Sequence, residues 1–293
     1  SDPSWQSNQK IQKKGELKMN QIELKALAKI NLGLDVLGRR ENGYHDVRMV
    51  MQSIYLYDEV KIEKTEAPGI TLASNLSFLP TGEGNIAYKA AKLLMEEFHI
   101  PAGVRITLNK HIPVAAGLAG GSSNAAAVLF GMNRMFRLGL KQEELMERGV
   151  RLGADVPYCI MRGTVLAEGI GEKLSVLPAM PKCTVLIAKP PVSVSTKVVY
   201  EALDAKEIAE HPDIDGIIEG LEKHSLKQVA ACMGNVLEDV TIPMHPVIEQ
   251  IKREMKDAGA LNAMMSGSGP TVFGLFESRA AAREAQRRIR EKS

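Results

Sequence analysis

The stretch Pro113-Val-Ala-Ala-Gly-Leu-Ala-Gly-Gly-Ser-Ser-Asn-Ala-Ala-Ala127 constrains this chain more than any other. It joins a β-forming run at residues 103–108 to an alanine-rich run at residues 125–136 through glycines and small hydroxyl residues. Gly117, Gly120 and Gly121 open backbone angles closed to other residues and keep β-carbons away, so successive N–H groups can converge on an anion. The helix expected over residues 125–136 adds its positive end. Ser122, Ser123 and Asn124 fall where the first free helical N–H groups would be, placed to cap the helix or to reach a phosphate or its metal. For such a stretch alone, a helix start whose glycines serve close packing is the competing reading.

At 293 residues the chain exceeds the usual size of one domain, and two domains flanking a cleft are expected. The boundary is expected near the glycine turns that end at residue 172, giving domains at residues 19–172 and 173–293. Residues 1–18 read as a polar leader, appended or disordered, with the native chain starting at Met19. Trp5 lies in that leader and is not expected to inform on the core. A net charge of +2 without a lysine- and arginine-rich tract argues against nucleic acid, and no apolar run approaches bilayer length. Cys159, Cys183 and Cys232 are widely spaced, which suits structural thiols in a reducing cytoplasm and neither a disulfide framework nor a zinc site. Oligomeric state is left open by the sequence, a homodimer included.

Residues 21–36 alternate polar and apolar as a strand does, with a break available at Gly33, and residues 49–64 carry β-forming side chains. Residues 85–99 switch to helical spacing, as do residues 141–152. Gly153-Ala-Asp-Val-Pro157 then reads as a constrained loop, and residues 158–167 as a strand. The second half begins with the apolar run from Thr184, followed by helices over residues 195–203, 215–233 and 246–258, the last stopped by Gly259. Residues 263–265 and 271–276 read as strands around Ser266-Gly-Ser-Gly-Pro270, and Ser278 is placed to cap a final basic helix. An α+β architecture follows, with helices on one face of a small antiparallel sheet.

Three further segments carry chemistry. Lys29 stands on an otherwise apolar strand, where an ammonium needs an anionic or polar partner. Tyr44 and His45, beside Gly43, offer a flat ring and a ring nitrogen, although an exposed turn of ordinary polar residues would look the same. Asp155 is held near Pro157 and suits a carboxylate that accepts a hydroxyl proton or holds a metal; capping is the commoner use of such an aspartate. Ser266-Gly-Ser-Gly-Pro270 reads as a tight hairpin or a second anion nest. Together these are the parts of phosphoryl transfer, in which catalysis is mostly positioning and charge neutralisation. The chain contains no GxxxxGK[ST], HExxH, CxxC or GxSxG.

Ala28-Lys-Ile-Asn-Leu-Gly33, Pro113 to Ala127 and Met265-Ser-Gly-Ser-Gly-Pro-Thr271, in this order, resemble the three motifs of the GHMP kinase superfamily. The resemblance extends over nearly all of the chain after Met19. It implies an N-terminal domain like ribosomal protein S5 domain 2, a C-terminal ferredoxin-like α/β sandwich, and an active site in the cleft between them. The addition of Arg40-Glu-Asn-Gly-Tyr-His45 and Gly153-Ala-Asp-Val-Pro157 resembles the narrower family that phosphorylates the 2-hydroxyl of 4-diphosphocytidyl-2-C-methyl-D-erythritol with ATP. On that resemblance Asp155 is the base and Lys29 orients or stabilises the reacting oxygens. Asn31 fixes the erythritol end, while Tyr44, His45 and Tyr200 hold the cytosine. ATP falls to Pro113, Ala115, Gly117, Leu118, Ala119, Gly120, Gly121, Ser122, Ser123 and Asn124, with Asn85, Ser268 and Gly269. Mg²⁺ falls to Ser122 or Ser123. Ala119 stands where the family motif more commonly has glycine, and its methyl group is expected to be tolerated at negative φ. The alternatives are a homoserine- or mevalonate-type kinase of the same superfamily, or a non-catalytic nucleotide-binding regulator.

Overall fold

A computed structural model describes Trp5, residues 19–204 and residues 206–292. Apart from Trp5, the leader lies outside the described residues. In chain order the first elements are β1 (Gln21–Arg39), β2 (His45–Thr65), β3 (Ile70–Ser74), α1 (Ile86–Glu97), β4 (Gly103–Asn109) and α2 (Gly120–Phe136). Next come α3 (Gln142–Val150), α4 (Val156–Met161), β5 (Thr164–Gly169), β6 (Lys173–Val176), β7 (Thr184–Ala188) and α5 (Thr196–Asp204). Then follow α6 (Ile214–Glu222), α7 (Leu226–Cys232), β8 (Gly234–Asn235), α8 (Glu238–Met244) and α9 (Val247–Asp257). The chain closes with β9 (Asn262–Met265), β10 (Val272–Phe276) and α10 (Arg279–Lys292).

These elements form two compact units, each assembled from several chain segments. The first unit takes the described residues of 1–28, 55–114 and 119–162. Its sheet pairs the end of β2 antiparallel with β4, from Glu59 opposite Asn109 to Thr65 opposite Gly103, and β4 parallel with β3. The helix α2 packs on α1, α3 and α4. Small side chains let it approach closely: Ala125, Ala126 and Ala127 are fully buried, and a β-carbon on Gly131 would lie 2.6 Å from Ile62 Cδ1. Trp5 belongs to this core, contrary to the sequence reading. It is buried, stacks on Phe130 at 4.9 Å between ring centroids, and donates from Nε1 to the Ile160 carbonyl at 3.3 Å.

The second unit takes residues 29–54, 115–118 and the described residues from 163 onward. Here the first half of β2 pairs antiparallel with β5, β5 with β6, and β1 parallel with β8. A separate antiparallel sheet runs β7-β10-β9, with α9 and α10 packed against it. Every residue of β10 is buried. Ser278 caps α10 as expected, its hydroxyl accepting from the Ala281 N–H at 3.1 Å.

Four local readings change. Gly33 does not break β1; a β-carbon there would lie 2.6 Å from Ile214 Cδ1, so its glycine lets α6 close onto the strand. The helix α2 starts at Gly120, before the alanine run. Of the strand expected over residues 158–167, residues 164–167 are extended in β5 while residues 158–161 complete α4, because Pro157 suits a first helical turn and burial of Val156 through Ile160 outweighs their β-propensity. The helix expected over residues 215–233 is two, divided where His224 takes φ 52° and Ser225 caps α7.

Candidate active site

In the first unit, the start of α2 decides what the glycine-rich stretch can bind. Ala119 is the N-cap with φ 55° and ψ 32°, so the condition of negative φ under which its methyl group was expected to be tolerated is not met. Ser123 N–H donates to the Ala119 carbonyl at 2.9 Å, which closes the first helical turn. Gly120, Gly121 and Ser122 therefore occupy the positions whose N–H groups have no intrahelical acceptor, and they face the positive end of the helix dipole. Gly121 is not needed for packing. It is exposed, and the nearest atom to an added β-carbon would be Ile86 Cδ1 at 4.0 Å. An unfilled position at a helix N-terminus fits a phosphate approaching the backbone.

Ser123 and Asn124 lie one turn deeper than the sequence suggested. The Ser123 hydroxyl is buried with no hydrogen-bond partner among the described residues. Asn124 is engaged: its Nδ2 donates to Asp58 Oδ2 at 2.9 Å, and its Oδ1 accepts from Lys110 Nζ at 2.8 Å. The fully buried Asp58 also takes the Lys110 ammonium, and its Oδ1 accepts from the backbone N–H groups of His111 (2.6 Å) and Ile112 (2.9 Å). One carboxylate thus ties the end of β4 to α2. Sequence reasoning missed both Asp58 and Lys110, although a charged residue beside each apolar strand run was the available signal.

Asp155 is the N-cap of α4, with φ −86° and ψ −10°, yet its side chain makes no capping hydrogen bond. The common structural use of such an aspartate is therefore absent. Its carboxylate is half-buried, two residues after Gly153, where a β-carbon would lie 3.9 Å from Ser122 Oγ. The Asp155 loop and the phosphate-type helix start are neighbours. Among the described residues, no three His, Cys, Asp or Glu side chains gather as a metal cage.

In the second unit, Lys29 is buried on β1, and its N–H donates to the Leu118 carbonyl at 3.1 Å, the residue before the α2 cap. Its ammonium donates to Asn31 Oδ1 at 2.6 Å, and the same oxygen accepts from the Gly267 N–H at 3.1 Å. Asn31 Nδ2 lies 3.5 Å from Met49 Sδ. The 266–270 turn is a hairpin between β9 and β10 that clamps Gly117: Ser266 Oγ donates to the Gly117 carbonyl at 2.9 Å. Ser268 Oγ pairs with Thr196 Oγ1 at 2.7 Å, and Gly269 N–H donates to the Ser266 carbonyl at 3.0 Å. Thr271 Oγ1 is buried without a hydrogen-bond partner among the described residues.

His45, at the start of β2, places Nε2 2.6 Å from Asp204 Oδ1, and its ring centroid lies 4.8 Å from that of Tyr200. Tyr44 is 58% exposed. Asn85, expected at ATP, caps α1 by accepting from Ala87 N–H at 3.0 Å and donates from Nδ2 to the Pro80 carbonyl at 3.1 Å. Pro113 is half-buried, and Ala115 is exposed with φ 50°.

Known proteins resemble this chain over most of its length. Family models of the GHMP kinases N terminal domain and GHMP kinases C terminal match residues 85–163 and 217–293. A 4-diphosphocytidyl-2-C-methyl-D-erythritol kinase of Lachnospira eligens is 58% identical over 94% of this chain and 95% of its own. The chain belongs to the GHMP kinase family. A crystal structure of 4-(cytidine 5'-diphospho)-2C-methyl-D-erythritol kinase superposes on this GHMP kinase with a TM-score of 0.78 and 32% identity, covering 92% of this chain and 95% of that one. A homoserine kinase from Cytophaga hutchinsonii shares the fold at TM-score 0.77 and 22% identity, covering 96% and 92%. Two-domain α+β organisation of the GHMP type is therefore shared with both.

Proposed function

We propose that this GHMP kinase transfers the terminal phosphoryl group of ATP to the 2-hydroxyl of 4-diphosphocytidyl-2-C-methyl-D-erythritol, giving the 2-phosphate and ADP in isoprenoid precursor synthesis. One observation carries the phosphoryl-transfer chemistry: Asp155 occupies a cap position without capping, on a loop beside Ser122 at the open start of α2. The acceptor comes from the kinases named above, which cover nearly the whole chain.

Gly120, Gly121 and Ser122 present N–H groups to the phosphates, with the Ala115–Leu118 backbone leading into them. Mg²⁺ would neutralise phosphate charge when bound; the Ser122 hydroxyl and the unpartnered Ser123 hydroxyl suit it, the phosphates and water supplying the remaining oxygens. Asp155 accepts the acceptor proton late, once bond formation to phosphorus has acidified the hydroxyl, because an ordinary carboxylate is a weak base for an alcohol. Lys29 supplies positive charge to the reacting oxygens, and Asn31 acts through Lys29, whose ammonium it orients. Ser268 and Gly269 act through Gly117, which their hairpin supports. Asn85 and Pro113 border the nucleotide, while Tyr44, His45 and Tyr200 receive the cytosine. Cysteine thiols outside any disulfide suit a cytoplasmic setting, and no helix among the described residues is long and apolar enough to cross a membrane.

The test is ADP release with ATP and Mg²⁺ against 4-diphosphocytidyl-2-C-methyl-D-erythritol, homoserine and mevalonate in separate reactions. Turnover with the cytidyl substrate alone is expected. Turnover with another acceptor would keep the kinase and overturn the cytosine reading, and silence with all three would favour a non-catalytic nucleotide-binding regulator.

A further inference from the structure

The helix α5 brings two different side chains to the imidazole of His45. Tyr200 and Asp204 stand four residues apart on that helix, one turn, and so share a face. Tyr200 contributes its ring, tilted 43° to the imidazole at 4.8 Å. Asp204 contributes a carboxylate whose Oδ1 lies 2.6 Å from His45 Nε2, while Oδ2 lies 3.4 Å from an Arg39 guanidinium nitrogen. Of the His45 side chain 12% is exposed and of the Asp204 side chain 23%, so both groups remain within reach of a ligand at this turn.

A carboxylate can only accept, so a neutral imidazole facing it must carry its proton on Nε2. Nδ1 is then a lone-pair acceptor, and ring rotation is opposed by the carboxylate at Nε2 and by the neighbouring Tyr200 ring. An acceptor held in that orientation matches the exocyclic amino group of cytosine. It opposes the carbonyl that uracil carries at the same position.

We propose that Asp204 is a positioning residue for base selection: by fixing the orientation and tautomer of His45, it makes this kinase prefer cytidine over uridine diphosphates. The inference rests on the reading of His45 as the cytosine partner. Neither composition nor spacing pointed to Asp204, because its partner is 159 positions away in the chain.

The experiment measures binding of CDP and UDP by calorimetry to the full chain and to three variants, with thermal unfolding of each. The wild type is expected to prefer CDP. Asp204→Ala is expected to lower the CDP-to-UDP affinity ratio by up to about tenfold, the upper end for one hydrogen bond. Asp204→Asn, whose amide oxygen still accepts from Nε2–H, is expected to keep part of the ratio and guards against loss of fold. ¹⁵N resonances of the His45 ring are expected to report protonated Nε2 in the wild type and exchange between tautomers in Asp204→Ala. Equal weakening of CDP and UDP with an unchanged ratio would overturn the inference and leave Asp204 as a brace for α5. A wild type without preference, or a preference that survives His45→Ala, would overturn the cytosine reading itself.

Discussion

Two loops of glycine and serine look alike in the sequence and differ in the fold. In the 266–270 hairpin the polar groups serve the protein: Ser266 holds Gly117, Gly267 holds Asn31, Ser268 pairs with Thr196, and Thr241 Oγ1 donates to the Ser268 carbonyl at 3.3 Å. At the start of α2, Gly120, Gly121 and Ser122 keep N–H groups outside the helical ladder, and the Ser123 hydroxyl lacks a partner among the described residues. The first loop braces and the second offers donors. Glycine content alone does not distinguish them; what separates them is whether N–H groups already find acceptors within the protein and whether space remains where a β-carbon would stand.

The sharpest way to break this contrast is at the carboxylate beside the donor loop. Asp155→Ala is expected to lower kcat about a hundredfold or more, with ATP affinity little changed, measured by steady-state ADP release and nucleotide titration. Retained turnover would remove Asp155 from the chemistry and leave the donor loop as a binding site only. Gly117→Ala attacks the brace. Its φ is 81° and the new β-carbon would meet the Ser266 carbonyl oxygen at 2.1 Å, so a loss of about 2–4 kcal/mol in denaturant unfolding is expected.

Gly121→Ala attacks the donor loop and has the opposite signature. Because its β-carbon has room, the ligand-free protein should gain about 0.5 kcal/mol from helix propensity while the KM for ATP rises about tenfold through a blocked phosphate contact. An unchanged KM would mean that the phosphates do not approach the backbone there. Ala119→Gly is the smallest expected effect. Relief of a left-handed alanine, about 1–2 kcal/mol, is partly offset by about 0.5–1 kcal/mol of backbone entropy, so unfolding should shift by about 0.5 kcal/mol toward greater stability. A loss of stability on that change would show that the methyl group packs favourably.

Much of the fold was legible along the chain. The spacing of residues 85–99 marked α1, alternation marked β1, Gly259 marked the end of α9, and Ser278 marked the cap of α10. These readings depend on local periodicity and termination, which the backbone obeys wherever tertiary packing agrees. They failed where packing disagreed. Residues 156–161 carry β-forming side chains yet form α4 because all but the last are buried within the first unit, and Trp5 joins the core from a polar leader by stacking on Phe130. Of the candidate site, Lys29, the α2 start, Asp155 and His45 could be named from residue type and neighbours. Asp58 was overlooked despite standing beside an apolar strand run, and Asp204 could not be named, since it acquires its role from a group far away in the chain.

By itself, the sequence determined that a strand, a glycine-rich turn and a helix follow one another, with a lysine, an aspartate and a second small-residue turn elsewhere, because residue type and order limit local backbone conformation. The tertiary structure decided which of these groups remain available. A hydrogen bond is a short-range contact, and only folding brings Ser266 to Gly117, Asn31 to Gly267 and Asp204 to His45, engaging some donors and acceptors while leaving the start of α2 open.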